Sequence, residues 1–139
     1  MTSLGPCALA ASLVALPAAA QFQITDARPD LAARDTCIQQ VDGDGAWTCY
    51  NDLIEQCDEE STADACRTRE SVMWQGLLVN EMSGSIGLAP RVARGQVRGT
   101  LNEVCGDLTG SARRSCEVSI LTRSTADLRS RSLRAGAAQ

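Results

Sequence analysis

Seven cysteines constrain this chain more than any other feature, because six of them, Cys37, Cys49, Cys57, Cys66, Cys105 and Cys116, form an even set outside the N-terminal apolar segment. An even set in an exported chain reads as a disulfide framework, here three bridges. Cys37/Cys49, Cys57/Cys66 and Cys105/Cys116 each flank a short polar stretch rich in turn formers. A bridge across such a stretch ties together the two arms of a helical hairpin.

Export is expected from the first twenty residues, which contain no Asp, Glu, Lys or Arg, carry an apolar run from Ala8 to Leu16 and end Pro17-Ala18-Ala19-Ala20. This pattern reads as a secretory signal peptide, residues 1–20, with a small-residue cleavage site. The run is shorter than the ~20 residues a membrane-spanning helix needs, so no transmembrane anchor is expected. Cys7 precedes the apolar run and leaves with the leader. The expected location is therefore periplasmic or extracellular, an oxidising space in which disulfides persist.

The residue inventory narrows the chemistry. No His and no Lys occur, and no CxxC spacing is present. Zinc sites thereby lose their commonest ligands, and Ser-His-Asp, Cys-His and Ser-Lys catalysis lose an essential member. Asp42-Gly43-Asp44-Gly45 resembles the start of a calcium loop, but Trp47 and Leu53 stand where such a loop needs its glycine and its closing glutamate. No metal, no cofactor and no catalytic residue is expected. A hydrolase working with carboxylates alone stays formally open, although a chain with 3% aromatic residues has little with which to line a sugar cleft.

Charge is divided unevenly. Residues 21–70 carry twelve acidic residues against four Arg, and residues 71–139 carry nine Arg against five acidic residues, near −8 and +4. The net charge of −4 argues against nucleic acid as a partner. Packing of the two halves on each other accounts for the asymmetry, and an acidic face for a cationic partner is the functional alternative.

The periodicity predicts an all-α fold, a small disulfide-stapled bundle of helical hairpins with about five helices. The first helix covers residues 30–41 and stops at Asp42-Gly43-Asp44-Gly45, where turn chemistry takes over. The second carries Trp47, Tyr50, Ile54 and Cys57 on one stripe and ends near Asp58-Glu59-Glu60. Ser61 and Asp64 form a capping box that opens a third helix through Cys66, Met73, Trp74, Leu77 and Leu78. Trp74, Leu77 and Leu78 share a face and are expected to form the structural core. Glu70, one turn before Trp74, is expected to pair with Arg67 or Arg69 or to cap a buried contact.

Gly84, Gly87 and Pro90 interrupt the pattern, and Pro90 suits the first turn of a fourth helix with Val97, Leu101, Val104, Cys105 and Leu108 on its apolar face. Thr109-Gly110-Ser111 makes the next reversal. Val118, Leu121, Thr125 and Leu128 then mark a fifth helix, followed by a weakly structured tail at residues 135–139. A single domain over residues 21–134 results, about 119 mature residues including the tail. Covalent staples are physically useful at that size.

Helix geometry also restricts the pairing among the 15 connectivities that six cysteines allow. Cys49 and Cys57 on one continuous helix would lie about 12 Å apart along its axis, whereas a disulfide needs Cα atoms within about 7 Å. Pairing across the reversals gives Cys37–Cys49, Cys57–Cys66 and Cys105–Cys116, each contributing about 2–3 kcal/mol in the chain-entropy account.

The stretch Cys57-Asp-Glu-Glu-Ser-Thr-Ala-Asp-Ala-Cys66-Arg-Thr-Arg-Glu70-Ser-Val-Met-Trp74 resembles the bacterial lysozyme inhibitor LprI-like family, in which two cysteines bracket a Thr-containing turn and a Glu and an aromatic follow. Cys105 and Cys116, with Thr125-Ala126-Asp127 beyond them, resemble the C-terminal part of longer members. Val79 and Met82 stand where the family often has Asn and Tyr. The resemblance implies a non-enzymatic binding protein that inhibits a lysozyme by occluding its cleft. The acidic segment Asp58, Glu59, Glu60 and Asp64 is the surface expected to meet a cationic lysozyme, steered by opposite potentials. The alternative is a structural or accessory envelope protein that contacts another envelope protein without inhibiting lysozyme.

Overall fold

A computed structural model describes residues 29–41, 43–57 and 63–139 of the chain. The expected signal peptide, Cys7, Ser61 and the acidic residues Asp58, Glu59 and Glu60 lie outside the described residues. Every regular element is helical among the described residues. A 3₁₀ turn, Ala32–Arg34, leads directly into helix α1, Asp35–Gln40, and a long 3₁₀ helix, Gly43–Leu53, follows. Three α-helices complete the fold: α2, Ala63–Ile86, α3, Pro90–Cys105, and α4, Gly110–Ala137. With the first turn and α1 counted as one segment, the five expected helical segments are present.

All three expected disulfides are formed, with Cα separations of 5.9 Å for Cys37–Cys49, 5.8 Å for Cys57–Cys66 and 5.9 Å for Cys105–Cys116. Cys37–Cys49 joins α1 to the 3₁₀ helix, Cys57–Cys66 joins the chain beyond that helix to α2, and Cys105–Cys116 joins α3 to α4. Together they indicate an oxidising, non-cytoplasmic compartment.

The second helical segment differs from its expected form. It begins at Gly43, inside the run expected to be a turn, winds as a 3₁₀ helix and ends at Leu53, four residues short of Cys57. A 3₁₀ helix repeats every three residues, so Trp47, Tyr50 and Leu53 line up along it, and Ile54 and Cys57 fall beyond its end. Two glycines and a β-branched Thr within the segment weaken α-helix propensity, and Thr48 Oγ1 donates to the Gly45 carbonyl at 2.7 Å. Cys49 and Cys57 therefore do not share a continuous helix.

Helix α2 also runs further than expected, continuing through Gly84 to Ile86. The break comes at Gly87, whose φ of +67° is a left-handed conformation that glycine adopts without a Cβ penalty. The Leu88 amide donates back to the Met82 carbonyl at 3.4 Å, and Pro90 then opens α3 as expected. Gly110, at φ +54°, performs the same service where α4 begins. On α3, Val97, Leu101 and Cys105 are buried, but Val104 is exposed, and Leu108 is exposed beyond the helix end. The stretch expected as a weakly structured tail is helical as far as Ala137.

Two cross-links fix the direction of the long helices. Ser71 on α2 donates to Glu117 on α4, and ten residues along α2, Glu81 accepts from Arg129, twelve residues along α4. Helices α2 and α4 are therefore parallel, and α3 runs back between their ends. The α2–α4 contact is the largest in the fold, with the 3₁₀ helix and α1 both packed against α4.

Trp74, Tyr50, Ile38 and Leu121 are fully buried at the centre, and Leu77 and Leu78 join them as expected. The Trp74 and Tyr50 rings meet at 5.6 Å between centroids with a tilt of 35°. Such aromatic contacts add to the area that the rings bury. Nearby, Arg129 grips both Asp35 oxygens, at 2.5 Å and 3.0 Å, and reaches Glu81 at 2.6 Å, so one guanidinium joins α1, α2 and α4. The bond to Asp35 leads, and its charge with that of Glu81 adds, in holding Arg129 in its charged form against partial burial.

Burial pushes the Tyr50 phenol above its ordinary range; Arg129 pulls it down, while Glu81 and Asp35 push it further up. Its hydroxyl is buried without a hydrogen-bond partner among the described residues. An unsatisfied buried hydroxyl costs about 1–3 kcal/mol, so Tyr50→Phe should leave stability unchanged or raise it by about 1 kcal/mol in urea unfolding. A clear loss of stability would show that the hydroxyl is satisfied in solution. Arg129→Ala should cost about 3 kcal/mol in the same measurement, because it leaves Asp35 and Glu81 facing one another without their cation.

Candidate functional site

The residues around Cys57 define a cleft of about 270 Å³ at the end of the bundle where α2 begins. Its walls come from three separate parts of the chain: Trp47 and Ile54 from the 3₁₀ helix and its exit, Arg67 and Glu70 from α2, and Val118 and Thr122 from α4. The Cys57–Cys66 bridge holds the first two parts together, since Cys57 lies in the cleft wall and Cys66 on α2. The cleft is mixed in character, with an apolar side and the charged residues Glu55, Arg67 and Glu70.

Glu70 is buried and does not pair with Arg67 or Arg69. One oxygen accepts from the Trp74 indole N–H at 2.8 Å and from the Glu55 amide at 3.0 Å. It therefore caps a buried contact, the second of its expected roles, and fastens the chain leaving the 3₁₀ helix onto α2. Arg69 instead faces the side chain of Glu55 at 3.6 Å, where both are substantially exposed and the pair contributes little. Trp47 stands on the rim with the Arg123 guanidinium 4.7 Å from its ring centroid, a cation–π contact.

Glu117 is the second buried carboxylate. It accepts from Ser71 at 2.8 Å, Arg114 at 2.7 Å and Arg113 at 3.0 Å, and Arg113 also reaches Asn102 on α3 at 2.9 Å. Burial by itself would raise its pKa, but the hydrogen bonds from Arg114, Ser71 and Arg113 and the charge of Arg114 outweigh it and hold the carboxyl below its ordinary value. The knot ties all three long helices together next to the cleft. Glu117 lies one helical turn before Leu121 on the apolar stripe, with Arg113 four residues earlier. A carboxylate on a buried stripe with arginines at that spacing was a readable signal that the stripe of apolar residues alone obscured.

Of the residues expected to meet a partner, Asp64 is exposed in the first turn of α2, where negative charge complements the helix dipole. Trp74, Leu77 and Leu78 are buried and unavailable to a partner. No cluster of three or more His, Cys, Asp or Glu suited to a metal occurs among the described residues. A second concavity of about 260 Å³ runs between α2, α3 and α4, lined mainly by aliphatic side chains such as Leu78, Met82, Val97 and Leu128. No described helix is long and apolar enough to cross a membrane. Comparison with protein-family models, with curated proteins and with solved structures gives no match.

Because its pKa is depressed on folding, Glu117 stabilises the fold fully above the ordinary carboxylate value near 4.5, and this contribution is lost as pH falls through the lower folded value. Glu117→Gln should therefore destabilise by about 2 kcal/mol at neutral pH, with the difference from the parent narrowing below pH ~4. Urea unfolding across that pH range measures it, and a constant difference would show that the ionised carboxylate is not what matters.

Proposed function

We propose that this chain is an exported binding protein that performs no chemistry and inhibits a cationic, wall-degrading lysozyme by covering its cleft. The observation that carries the reading is the anchoring of the acidic segment. Asp58, Glu59 and Glu60 follow Cys57 directly and Asp64 precedes Cys66, so the Cys57–Cys66 bridge closes a short covalent ring that carries four negative charges. A segment tethered at both ends loses less conformational freedom on binding than a free segment of the same length. Its charge would speed encounter with a positively charged enzyme and orient the docking.

Other features support the same reading. The Cys57 to Trp74 stretch resembles the LprI-like inhibitors, and in this fold Glu70 and Trp74 of that stretch form a buried hydrogen bond. The two buried carboxylates, Glu70 and Glu117, act as acceptors in structural contacts. The bridges suit a protein that works outside the cytoplasm.

The test is lysis of a bacterial cell-wall suspension by c-type lysozyme, followed by turbidity, with increasing amounts of the oxidised mature protein. Dose-dependent protection is expected, weakening at least tenfold when Asp58, Glu59 and Glu60 and Asp64 are neutralised together to Asn or Gln, as two to four lost charge contacts at an interface would produce. Failure to protect against that enzyme and against other lysozyme classes would overturn inhibition and leave the accessory envelope role. Release of wall fragments by the protein alone would overturn the non-enzymatic reading.

A further inference from the structure

Most of the described arginines have a carboxylate or aromatic partner, and of the five that do not, Arg67 lines the cleft, Arg134 stands near the end of α4 and the other three share α3. Arg34, Arg69, Arg113, Arg114, Arg129 and Arg131 each face a carboxylate, and Arg123 covers the ring of Trp47. Arg91, Arg94 and Arg98 on α3 face no carboxylate among the described residues, and all three are exposed. The side chain of Arg94 donates to the Pro90 carbonyl of its own helix at 3.3 Å. At about 100° per residue the three guanidiniums fall within roughly 60° of arc, so they form a single stripe. Residues 82–102 contain these three arginines and no Asp or Glu, and nothing in the local sequence neutralises them.

The same corner of the molecule exposes aliphatic surface. Ile86, the last residue of α2, is 56% exposed, and Val92, in the first turn of α3, is 49% exposed. Between them lie Gly87 in its left-handed conformation and the exposed Ala89 and Pro90. The turn between the two helices thus exposes two large aliphatic side chains, Ile86 at the end of α2 and Val92 beside Arg91 in the first turn of α3, on the flank of that helix next to the arginine stripe. A soluble polyanion would engage the arginines but would gain nothing from Ile86 and Val92. An anionic phospholipid surface engages both, through headgroup phosphates and through the apolar boundary beneath them.

The geometry points to the α2–α3 corner as a peripheral docking surface for anionic phospholipid, in which Arg91, Arg94 and Arg98 meet headgroup phosphates while Ile86 and Val92 enter the interface. Arginine suits the task, since its planar fork takes two phosphate oxygens at once and stays charged at any physiological pH. The protein's net charge of −4 opposes approach at long range, so binding requires the corner to face the membrane. The inference is independent of lysozyme inhibition and stands or falls without it.

The experiment is flotation of the oxidised mature protein with vesicles of phosphatidylglycerol and phosphatidylcholine, and with vesicles of phosphatidylcholine alone. Binding is expected to the first and not to the second, and to be lost at ~0.5 M salt. Arg91→Gln, Arg94→Gln and Arg98→Gln combined should weaken it about a hundredfold, at roughly tenfold or less per arginine near an anionic surface. Ile86→Ser with Val92→Ser should weaken it about tenfold, with the salt dependence kept. All five positions are exposed, and an unchanged circular dichroism melt will show that the variants remain folded. Absence of binding to anionic vesicles would overturn the inference, as would equal binding by the arginine variant. Binding to soluble polyglutamate that is as tight as to the vesicles and indifferent to Ile86→Ser with Val92→Ser would overturn it in favour of a polyanion site.

Discussion

The parallel arrangement of α2 and α4 governs the rest of this structure. Two parallel helices cannot be joined by a tight turn, because the chain must travel back along the first before the second one starts. Helix α3 makes that return, and its 16 residues cover about 24 Å at 1.5 Å per residue. The positions of the turns follow from this. Gly87 ends α2, Pro90 starts the return, and the Cys105–Cys116 bridge fixes the point at which α4 sets out. Since α3 serves as a connector, it packs mainly on α2 and less extensively on α4. The aliphatic concavity between α2, α3 and α4, and the α3 arginine stripe that faces no carboxylate among the described residues, are products of that secondary role.

Arginine carries every side-chain cation of the fold, because Lys and His are absent. The consequence is visible in how the helices are cross-linked. A guanidinium can hold two carboxylates at once, and Arg129 does so between α1 and α2, while Glu117 gathers two guanidiniums and a hydroxyl between α2, α3 and α4. An ammonium has no fixed fork and could not reproduce either arrangement with the same directionality. These knots are partly buried, so they are less screened by salt than the exposed pair of Arg131 and Asp127. They account for little of the charge asymmetry between the two halves of the chain, because most ion pairs among the described residues join residues of the same half. Asp35 and Glu55 from the acidic half meet Arg129 and Arg69, although only the first of these contacts crosses from one half to the other.

The sequence made the architecture legible wherever a single short-range rule decided the outcome. Cysteine parity and the polar stretch between each pair gave the three bridges, and Pro90 and Gly87 marked the α2–α3 reversal. The second segment was misjudged because Trp47, Tyr50 and Ile54 fit a 3.6-residue period, while Trp47, Tyr50 and Leu53 fit a 3.0-residue period just as well. Periodicity over so few turns cannot separate them. Gly84 misled for a related reason: an isolated glycine lowers helix propensity by about 1 kcal/mol, which the packing of a 24-residue helix easily absorbs. The polar interior was hidden for another reason. Arg129 takes Asp35 and Glu81, and Glu117 takes Ser71, from distant parts of the chain, and no local pattern announces a contact between residues 94 apart, such as Arg129 with Asp35, whereas the arginines that hold Glu117 lie on its own helix. The candidate partner surface remained visible only as charge, because the acidity of residues 58–64 is a property of composition and needs no fold to be read.

The two surfaces proposed for binding lie at opposite ends of α2. Asp64 sits in its first turn and Ile86 is its last residue, a separation of about 33 Å along the axis. That distance exceeds the Debye length of about 8 Å at physiological ionic strength several times over, so the charge at the α2–α3 corner and that of Asp64 act independently. Docked on an anionic membrane by the α2–α3 corner, the molecule would hold Asp64 and the Cys57–Cys66 bridge away from the lipid, where a cationic protein in the adjoining space could reach them. The reverse orientation would bring Asp64 against like charge and is disfavoured on the same grounds. A single rigid helix would in this way set both the attachment of the protein and the direction in which it presents Asp64.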